Sequence, residues 1–270
     1  MGKIKLSIII VTFNSGRYLK DCLASIEQFC SFLPYEIWIS DNNSTDNTIE
    51  IAKEFSNVLI LQNKENLGFA KANNLAVNQA KGEYVLLLNH DTILLNSLKP
   101  AFELIENELN IGAVGIKMLN GEKSYIPSVG RYPKPWQFIK FSSFQEKREA
   151  FVTGNFKNPN VSLKVDWITG AFLLTRKEDY QKAGGLDEAY FMYVEDVDFC
   201  KRLTLMGKEI LFLPSICFVH FVGFNKTREI MLLKGFEIYI EKYFTGVEFA
   251  IARTCLNINY AVKKWFKGLR

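Results

Sequence analysis

The chain has 270 residues, of which 48% are hydrophobic, and a formal net charge of +4. This hydrophobic fraction argues against a disordered chain, and so small a charge argues against a nucleic-acid partner. The five cysteines are scattered, odd in number and without a C-x-x-C pair, which argues against a disulfide framework or a zinc knuckle and favours a reduced, cytoplasmic setting.

The apolar runs of the chain are too short or too interrupted to cross a membrane. The first, Leu6 to Val11, is shorter than the apolar region of a signal peptide, and the longest later tract, Ile210 to Phe224, contains Pro214 and His220. Neither reaches the roughly 18 apolar residues of a spanning helix. We therefore predict a strand at the N-terminus and no transmembrane segment.

Strand and helix patterns alternate through the N-terminal part of the chain. Apolar, β-branched runs predict strands that begin at Leu6, Glu36, Val58 and Tyr84, and residues at helical spacing follow the first three. The third of these helices runs from Asn66 through Ala80 and is closed by Gly82. Successive strand-helix units predict an α/β fold in which a doubly wound, mostly parallel sheet is flanked by helices.

The strand that begins at Tyr84 ends in a polar tip, Asn89-His90-Asp91. Five consecutive apolar residues are typical of a strand buried on both faces, and ligands bind outside the carboxyl ends of parallel strands. Carboxylate oxygens are also preferred ligands of divalent cations. The tip therefore predicts that Asp91 can hold a cation, although a plain strand end followed by a capped helix remains the alternative.

Residues 120–165 show no sustained period of either kind and contain four prolines with interspersed aromatic residues. In a compact domain, such a segment is typical of a functional loop or lid, or of a peripheral structural insert. Regular patterns return in a strand over Val165–Leu174 that is broken by Gly170.

A pair of carboxylates, Glu195 and Asp196, follows an aromatic run and opens a predicted helix that ends at Gly207. Burial and a neighbouring like charge raise the pKa of a carboxylate toward that of a general base. Carboxylates are also favoured at helix N-termini by the helix dipole. For Asp198, on the same helix, a purely structural role at the helix N-terminus has the same weight as a role in the site.

Six segments, taken in this order, resemble a known enzyme family: Ile8–Asn14, Ser40–Asp46, Asn66–Ala70, Leu88–Thr92, Thr169–Ala171 and Gly185–Asp198. Together they are similar to the family 2 inverting glycosyltransferases of the GT-A fold, and most of all to the rhamnosyltransferase-like group that builds bacterial surface polysaccharide. The resemblance implies a nucleotide-sugar-binding and catalytic domain over residues 1–225. A C-terminal helical segment then occupies residues 226–270.

The resemblance also implies a role for each matching residue. It assigns the nucleotide and substrate contacts to Thr12, Asn14, Asp41, Asn66, Gly68, Lys71, Asn89, Trp167, Gly170 and Ala171. The catalytic carboxylates are Asp196, as the base, and Glu195. Asp91 and His220 hold a divalent cation, Mn²⁺ or Mg²⁺, although His220 can equally be a buried core histidine.

These roles agree with the chemistry of sugar transfer. A cation that bridges both phosphates stabilises the charge that develops on a diphosphate leaving group, and inversion needs a base across the sugar from that cation. The chain departs from the family pattern at the metal motif. Asn89 stands where a carboxylate can stand and His90 where the group commonly has proline, which leaves Asp91 as the single acid.

The sequence therefore predicts an inverting glycosyltransferase. It would move a sugar, with rhamnose among the candidates, from a UDP or dTDP donor to a hydroxyl of a glycan or lipid-linked acceptor in surface polysaccharide synthesis. One alternative is a nucleotidyltransferase, which needs a Gly-rich basic phosphate loop where this chain has only Asn14-Ser-Gly-Arg17. The other is a non-catalytic sugar-nucleotide binding protein, which the single-acid metal motif allows.

The C-terminal segment is basic and amphipathic. Residues 226–270 contain nine Lys and Arg against four Asp and Glu, and the apolar positions between Val247 and Leu269 fall largely on one helical face. Basic residues beside Trp265 and Phe266 are typical of a helix that lies on anionic lipid. We expect a cytoplasmic protein with peripheral contact at the inner face of the membrane, the alternative being a helix packed on the catalytic domain or in a homodimer.

Overall fold

The computed structural model describes residues 3–147, 161–221 and 226–267. The strands are β1 Leu6–Thr12, β2 Tyr35–Asp41, β3 Val58–Gln62, β4 Tyr84–Leu88, β5 Thr92–Leu94, β6 Ile111–Leu119, β7 Val129–Gly130, β8 Leu163–Val165, β9 Trp167–Ile168, β10 Phe172–Arg176 and β11 Glu209–His220. The helices are α1 Leu19–Phe29, α2 Thr48–Lys53, α3 Gly68–Gln79, α4 Lys99–Asn107, α5 Lys177–Lys182, α6 Glu195–Leu205, α7 Lys226–Tyr243 and α8 Gly246–Lys267, with 3₁₀ segments at Pro135–Ile139 and Phe141–Phe144.

Nine strands of the described residues form one sheet in the order β3-β2-β1-β4-β10-β6-β11-β5, with β8 paired to β11 beside this path. Strands β3, β2, β1 and β4 are parallel, whereas β10 lies antiparallel between β4 and β6. The chain winds outward from β1 through β3 and then returns to place β4 on the other side of β1. This reversal of strand order leaves a crevice at the carboxyl ends of β1, β2 and β4.

Apolar side chains fill both faces of the sheet, which confirms the predicted α/β fold. All five residues of β4 are buried, as expected for a strand covered on both sides. One face packs on α1, α2 and α4, and the other on α3, α6, α7 and α8. The sheet edge that carries the polar residues is therefore held by a layer of helices on each side.

The break predicted at Gly170 is confirmed, but the residues before it do not form one strand with those after it. These residues and their neighbours form β8, β9 and β10, which pair with β11, β7 and β4 respectively. The chain turns at Thr169-Gly170-Ala171 because β10 must enter the sheet beside β4. A continuous apolar pattern cannot show such a division, since strands with different partners share the same composition.

The described part of the irregular 120–165 region packs against the C-terminal helices. Phe138 and Phe144 are buried, and both rings lie within 6 Å of the Phe236 ring on α7, at 5.6 and 5.4 Å. Residues 148–160 of the predicted lid lie outside the described residues. The described remainder thus forms an aromatic layer between the sheet and α7.

The C-terminal helices share a hydrophobic core with the sheet. Ala252, Leu256 and Asn259 on α8 are buried, and the Asn259 side chain donates a hydrogen bond to the Phe138 carbonyl at 2.8 Å. The division at residue 225 falls at the edge of the undescribed residues 222–225 and stays a prediction. None of the described helices combines the length and apolarity needed to span a bilayer.

Replacing the buried Leu256 by alanine should lower the free energy of unfolding by about 2 to 5 kcal/mol, because it leaves a cavity under α8. Ile258→Ala is the matched control, since Ile258 is exposed on the same helix and should change stability by less than about 0.5 kcal/mol. Urea denaturation measures both. Equal small effects would mean that α8 is a detachable tail.

Candidate active site

Five of the predicted site residues, Thr12, Asn14, Asp41, Asn89 and Asp91, lie at the carboxyl ends of β1, β2 and β4. Thr12 ends β1 and lies opposite Asp41, which ends β2. Asn89, His90 and Asp91 follow β4 directly. The expectation that parallel strands bring these side chains to one edge is therefore confirmed.

Asp41 is held by hydrogen bonds within the protein. Its Oδ1 accepts from the Thr12 hydroxyl at 2.7 Å and from the Ser44 hydroxyl at 2.5 Å, and its Oδ2 accepts from the Ser44 N–H at 2.9 Å. The residue is only 1% exposed. Asp41 thus shapes the loop after β2, and a direct contact with the base or ribose stays a prediction.

Asn14 joins the loop after β1 to the loop after β2. Its backbone adopts a φ of 51°, its N–H donates to the Ser44 hydroxyl at 2.9 Å, and its side-chain oxygen accepts from the Thr45 N–H at 2.9 Å. The side chain of Asp46, the residue after Thr45, accepts hydrogen bonds from the Gly16 N–H at 3.0 Å and from the Thr48 N–H at 3.1 Å. Asp46 therefore supplies an acceptor to the first residue of α2, whose N-cap residue Asn47 makes no side-chain cap.

Asn42 is a site residue that the sequence analysis missed. It is buried, donates to the Gly68 carbonyl at 3.0 Å and accepts from the Asn63 side chain at 3.0 Å. These bonds attach the end of β2 to the start of α3. The place of Asn42 in the polar run after a buried strand could have marked it as a site residue. Its partner Gly68, however, is distant in sequence and could not be identified from the pattern.

The start of α3 needs glycine at position 68. Gly68 has a φ of +78°, and a Cβ there would lie 2.3 Å from the Phe191 carbonyl oxygen. The Gly68 N–H donates to the Asn66 side chain at 3.0 Å, and the next N–H, of Phe69, donates to the Phe191 carbonyl at 2.7 Å. Lys71 is exposed on this first turn. The predicted nucleotide helix is thereby joined to the segment that precedes Glu195.

Asp91 and His220 form the centre of the predicted metal site. The pairing of β11 with β5 sets His220 opposite Thr92 and brings its Nε2 to 3.0 Å from Asp91 Oδ1. The same Nε2 lies 3.1 Å from the Asn89 side-chain nitrogen, while Nδ1 faces the Met118 sulfur at 3.3 Å. A single ring nitrogen cannot donate to Asp91 and accept from Asn89 at once.

This pair fits a divalent cation. Burial disfavours the charged form of Asp91, but the neighbouring His220 and His90 rings outweigh it, so the pKa of Asp91 lies below its usual value. Two ligand atoms 3.0 Å apart can both reach one ion at about 2.0 to 2.2 Å. In the described ranges no group of three or more His, Cys, Asp or Glu side chains converges, so phosphate oxygens would supply the other ligands.

Asp196 is oriented by backbone donors. Its Oδ2 accepts from the Gly170 N–H and its Oδ1 from the Val197 N–H, both at 2.8 Å. Burial raises the pKa of Asp196. Burial and the Asp196 charge raise the pKa of Glu195 well above its usual value, and Glu195 Oε2 has no hydrogen-bond partner in the described part of the chain. Both shifts suit groups that exchange protons.

A strained backbone precedes these carboxylates. Tyr193 and Val194 have φ values of 72° and 76°, a region that β-branched residues rarely adopt. Helix α7 packs directly on this segment, because a Cβ on Gly235 would lie 2.7 Å from the Tyr193 carbonyl oxygen. The start of α6 is therefore positioned by tertiary contact rather than by local preference.

Gly170 and Ala171 connect the two halves of the site. The Gly170 N–H binds Asp196, and the Ala171 carbonyl accepts from the Asn89 N–H at 3.1 Å. Trp167 is buried, and its Nε1 donates to the Arg131 carbonyl at 3.0 Å. We therefore expect Trp167 to influence substrate through the Gly170-Ala171 turn rather than by direct contact.

Comparison with known proteins agrees with this geometry. A family model described as glycosyl transferase family 2 matches residues 7–180. An N-acetylglucosaminyl-diphospho-decaprenol L-rhamnosyltransferase of Mycobacterium tuberculosis is 27% identical over 241 residues, which cover 83% of this chain and 78% of that protein. Rhamnosyltransferase WbbL of Escherichia coli is 26% identical over 223 residues, which cover 79% and 82%.

The fold is shared with solved glycosyltransferases. The structure of the mannosyltransferase PcManGT from Pyrobaculum calidifontis, in complex with GDP-Man and Mn²⁺, aligns with a TM-score of 0.61 at 16% identity and covers 98% of this chain and 72% of that one. At such identity the likeness shows the fold alone. It confirms the expected GT-A architecture.

Proposed function

The chain belongs to glycosyl transferase family 2 and is an inverting glycosyltransferase, and we propose that it moves a sugar from a UDP or dTDP donor, with rhamnose the first candidate, to a hydroxyl of a lipid-linked or glycan acceptor. Its place is in cell-envelope polysaccharide synthesis. The family match favours this activity over a nucleotidyltransferase or a non-catalytic binding protein. The names of the two rhamnosyltransferases support the choice of sugar.

One observation carries the proposal. The Asp91–His220 pair and the Asp196 carboxylate, at the start of α6, are linked through one turn, since the Asn89 N–H donates to the Ala171 carbonyl and the Gly170 N–H donates to Asp196. An inverting transfer needs a group that neutralises the leaving diphosphate and a base near the opposite face of the sugar. This turn holds both in fixed relation.

The nucleotide would lie against the loops after β1 and β2 and the start of α3. Those loops are braced to each other through Asn14 and Asp41 and to α3 through Asn42. Bracing of this kind keeps the pocket in its binding shape before the donor arrives, which lowers the entropic cost of binding. Asn66, Gly68 and Lys71 complete the pocket in this proposal.

Asp91 and His220 would hold a divalent cation on the donor diphosphate, where it would offset the negative charge of the leaving group. Asp196 takes the proton of the acceptor hydroxyl while that oxygen bonds to the anomeric carbon and the bond to the diphosphate breaks. Because burial raises the pKa of Asp196, its affinity for this proton exceeds that of an ordinary aspartate. Glu195, whose pKa is raised further, holds a proton more readily and so reduces repulsion between the two carboxylates.

The decisive experiment supplies the purified protein with Mn²⁺, a panel of UDP and dTDP sugars, and a lipid-linked sugar diphosphate as acceptor. We expect a glycosylated product from one donor, with inverted anomeric configuration. Because a lipid-linked acceptor would be held in the membrane, we also propose that the protein works at its inner face. Donor binding without transfer to any acceptor and without hydrolysis would contradict the proposed activity.

Asp91→Ala should remove metal-dependent nucleotide binding, because it deletes the single acid of the metal motif. In the wild type, Mn²⁺ should raise the affinity for the nucleotide, and we expect this increase to be about a hundredfold smaller in the variant. Calorimetry with UDP or dTDP, in the presence and absence of the ion, measures it. His220→Ala should act in the same direction. Glu103→Ala, which removes an exposed carboxylate on α4, is the control. Normal Mn²⁺ dependence in Asp91→Ala would show that the cation binds without this residue.

A further inference from the structure

Two tryptophan side chains on neighbouring elements are exposed to solvent. Trp265 on α8 is 84% exposed, and Trp136 in the first 3₁₀ segment is 58% exposed. Other exposed apolar side chains lie beside them. We call this set the tryptophan face, and it consists of Trp136, Ile139, Ile258, Val262 and Trp265. Single exposed apolar residues are ordinary, whereas a group on adjoining elements marks an interaction surface.

The tryptophan face belongs to one packed surface. Asn259 on α8 donates to the Phe138 carbonyl at 2.8 Å, and Lys263 Nζ lies 4.3 Å from the centre of the Phe141 ring. Phe138 and Asn259 are buried in this contact, whereas Trp136 and Ile139 on the 3₁₀ segment and Ile258 on α8 are exposed. The 3₁₀ segment and the C-terminal half of α8 therefore present their exposed side chains together.

Exposed lysines surround the face. They are Lys134, Lys140 and Lys264. Lys134 Nζ lies 5.5 Å from the centre of the Trp136 ring, so charge and aromatic surface are adjacent. Tryptophan prefers the boundary between lipid headgroups and acyl chains, and lysines near an anionic leaflet are attracted to it.

We propose that the tryptophan face seats this protein on an anionic lipid surface. The inference extends the proposed function, because a lipid-linked acceptor is presented at such a surface. A second copy of the chain is a poorer occupant, since a symmetric contact would bring the lysines of both copies together. An anionic leaflet complements the same charges.

The face is connected to the catalytic segment through α7. The Phe236 ring lies 5.6 Å from that of Phe138, behind the tryptophan face. Gly235, the preceding residue, packs on the Tyr193 carbonyl just before Glu195 and Asp196. The tryptophan face and the segment that carries the base therefore pack on the same helix.

The test uses the full chain and sedimentation with vesicles of phosphatidylglycerol, compared with vesicles of phosphatidylcholine, without donor. We expect binding to the anionic vesicles that weakens as salt is added. Trp136→Ala with Trp265→Ala should reduce it at least tenfold. The matched control is Leu109→Ala with Leu205→Ala, which removes two apolar side chains that are 77% and 70% exposed elsewhere and should leave binding unchanged.

A second pair of variants tests the charge. Lys134→Gln with Lys140→Gln should weaken binding to the anionic vesicles by about tenfold or more, whereas Lys53→Gln with Lys81→Gln, exposed at other places, should not. Donor hydrolysis, assayed without lipid, should be unchanged in all of these variants. A protein that binds vesicles through the face but transfers no sugar would contradict the proposed function and leave this inference standing.

Some outcomes would overturn the inference. One is that the wild-type protein does not sediment with anionic vesicles. A second is that the tryptophan variants bind as well as the wild type. A third is a dimer seen by light scattering that the tryptophan variants convert to a monomer while no vesicle binding exists, which would make the face a contact between copies.

Discussion

Asp196→Asn should lower the rate of sugar transfer by about a hundredfold to ten-thousandfold and leave nucleotide affinity within a few-fold of the wild type. The amide has nearly the shape of the carboxylate and can still accept the hydrogen bond from Gly170, but it cannot take a proton from the acceptor. Transfer kinetics with saturating donor measure the first effect, and calorimetry with the nucleotide measures the second.

The neighbouring carboxylate provides the control. Glu195→Gln should be milder, because Glu195 has no hydrogen-bond partner for its Oε2 in the described residues and acts here by moderating charge. If Asp196→Asn lost donor binding as strongly as it lost transfer, Asp196 would belong to the nucleotide site instead.

The pH profile gives a second readout for Asp196. A base must be deprotonated to work, and burial raises the pKa of Asp196 above the 3.8 of a free aspartate. Transfer should therefore decline, as pH falls, at a higher pH than an unshifted aspartate would cause. The residual activity of Asp196→Asn should lack this acidic limb, while a purely structural role would leave the limb in place.

Asp198→Ala should destabilise the fold by about 3 to 5 kcal/mol. Asp198 is 0% exposed and accepts hydrogen bonds from Arg202 Nε at 2.7 Å and the Tyr243 hydroxyl at 2.8 Å, with Lys242 Nζ at 2.7 Å. Removing it deletes the carboxylate that pairs with Arg202 and the acceptor of the Tyr243 hydroxyl at the junction of α6 and α7. Urea denaturation measures the loss.

Asp187→Ala is the matched control for Asp198. It removes another partner of the same Lys242 amino group, also at 2.7 Å, but its side chain is 31% exposed, so the expected cost is about 1 kcal/mol or less. A similar loss of stability in both variants would show that Lys242, rather than the buried carboxylate, decides the stability of this junction.

Much of the nucleotide half was predictable because its signals are local. The apolar run Tyr84–Leu88 predicts a strand buried on both faces, and β4 is buried throughout. The positions of Asp41 and Asp91 at strand ends follow directly, because parallel strands bring their carboxyl ends to one edge. Their roles as ligands of nucleotide and metal stay predictions.

The part that could not be predicted depends on partners that are distant in sequence. Asn42 binds Gly68, and Gly170 binds Asp196, in contacts that no periodic pattern records. The strand expected over Val165–Leu174 divides among different partners for the same reason. A run of apolar residues shows that a segment is buried but not which strand lies beside it.

Asp196 and Asp198 illustrate the division between the two sources. The sequence by itself determined that both stand in the first turn of a helix, where the helix dipole favours any carboxylate. Only the tertiary structure determined the different roles of the two carboxylates. Asp196 accepts a hydrogen bond from the Gly170 N–H, whereas Asp198 contacts Lys242 and Tyr243 in the interior. The amphipathic pattern of α8 likewise determined a helix, but packing on Phe138 decided that Leu256 is buried and Trp265 is exposed. In both cases the chemistry of a side chain is set by the dielectric and the partners around it, and those come from other parts of the chain.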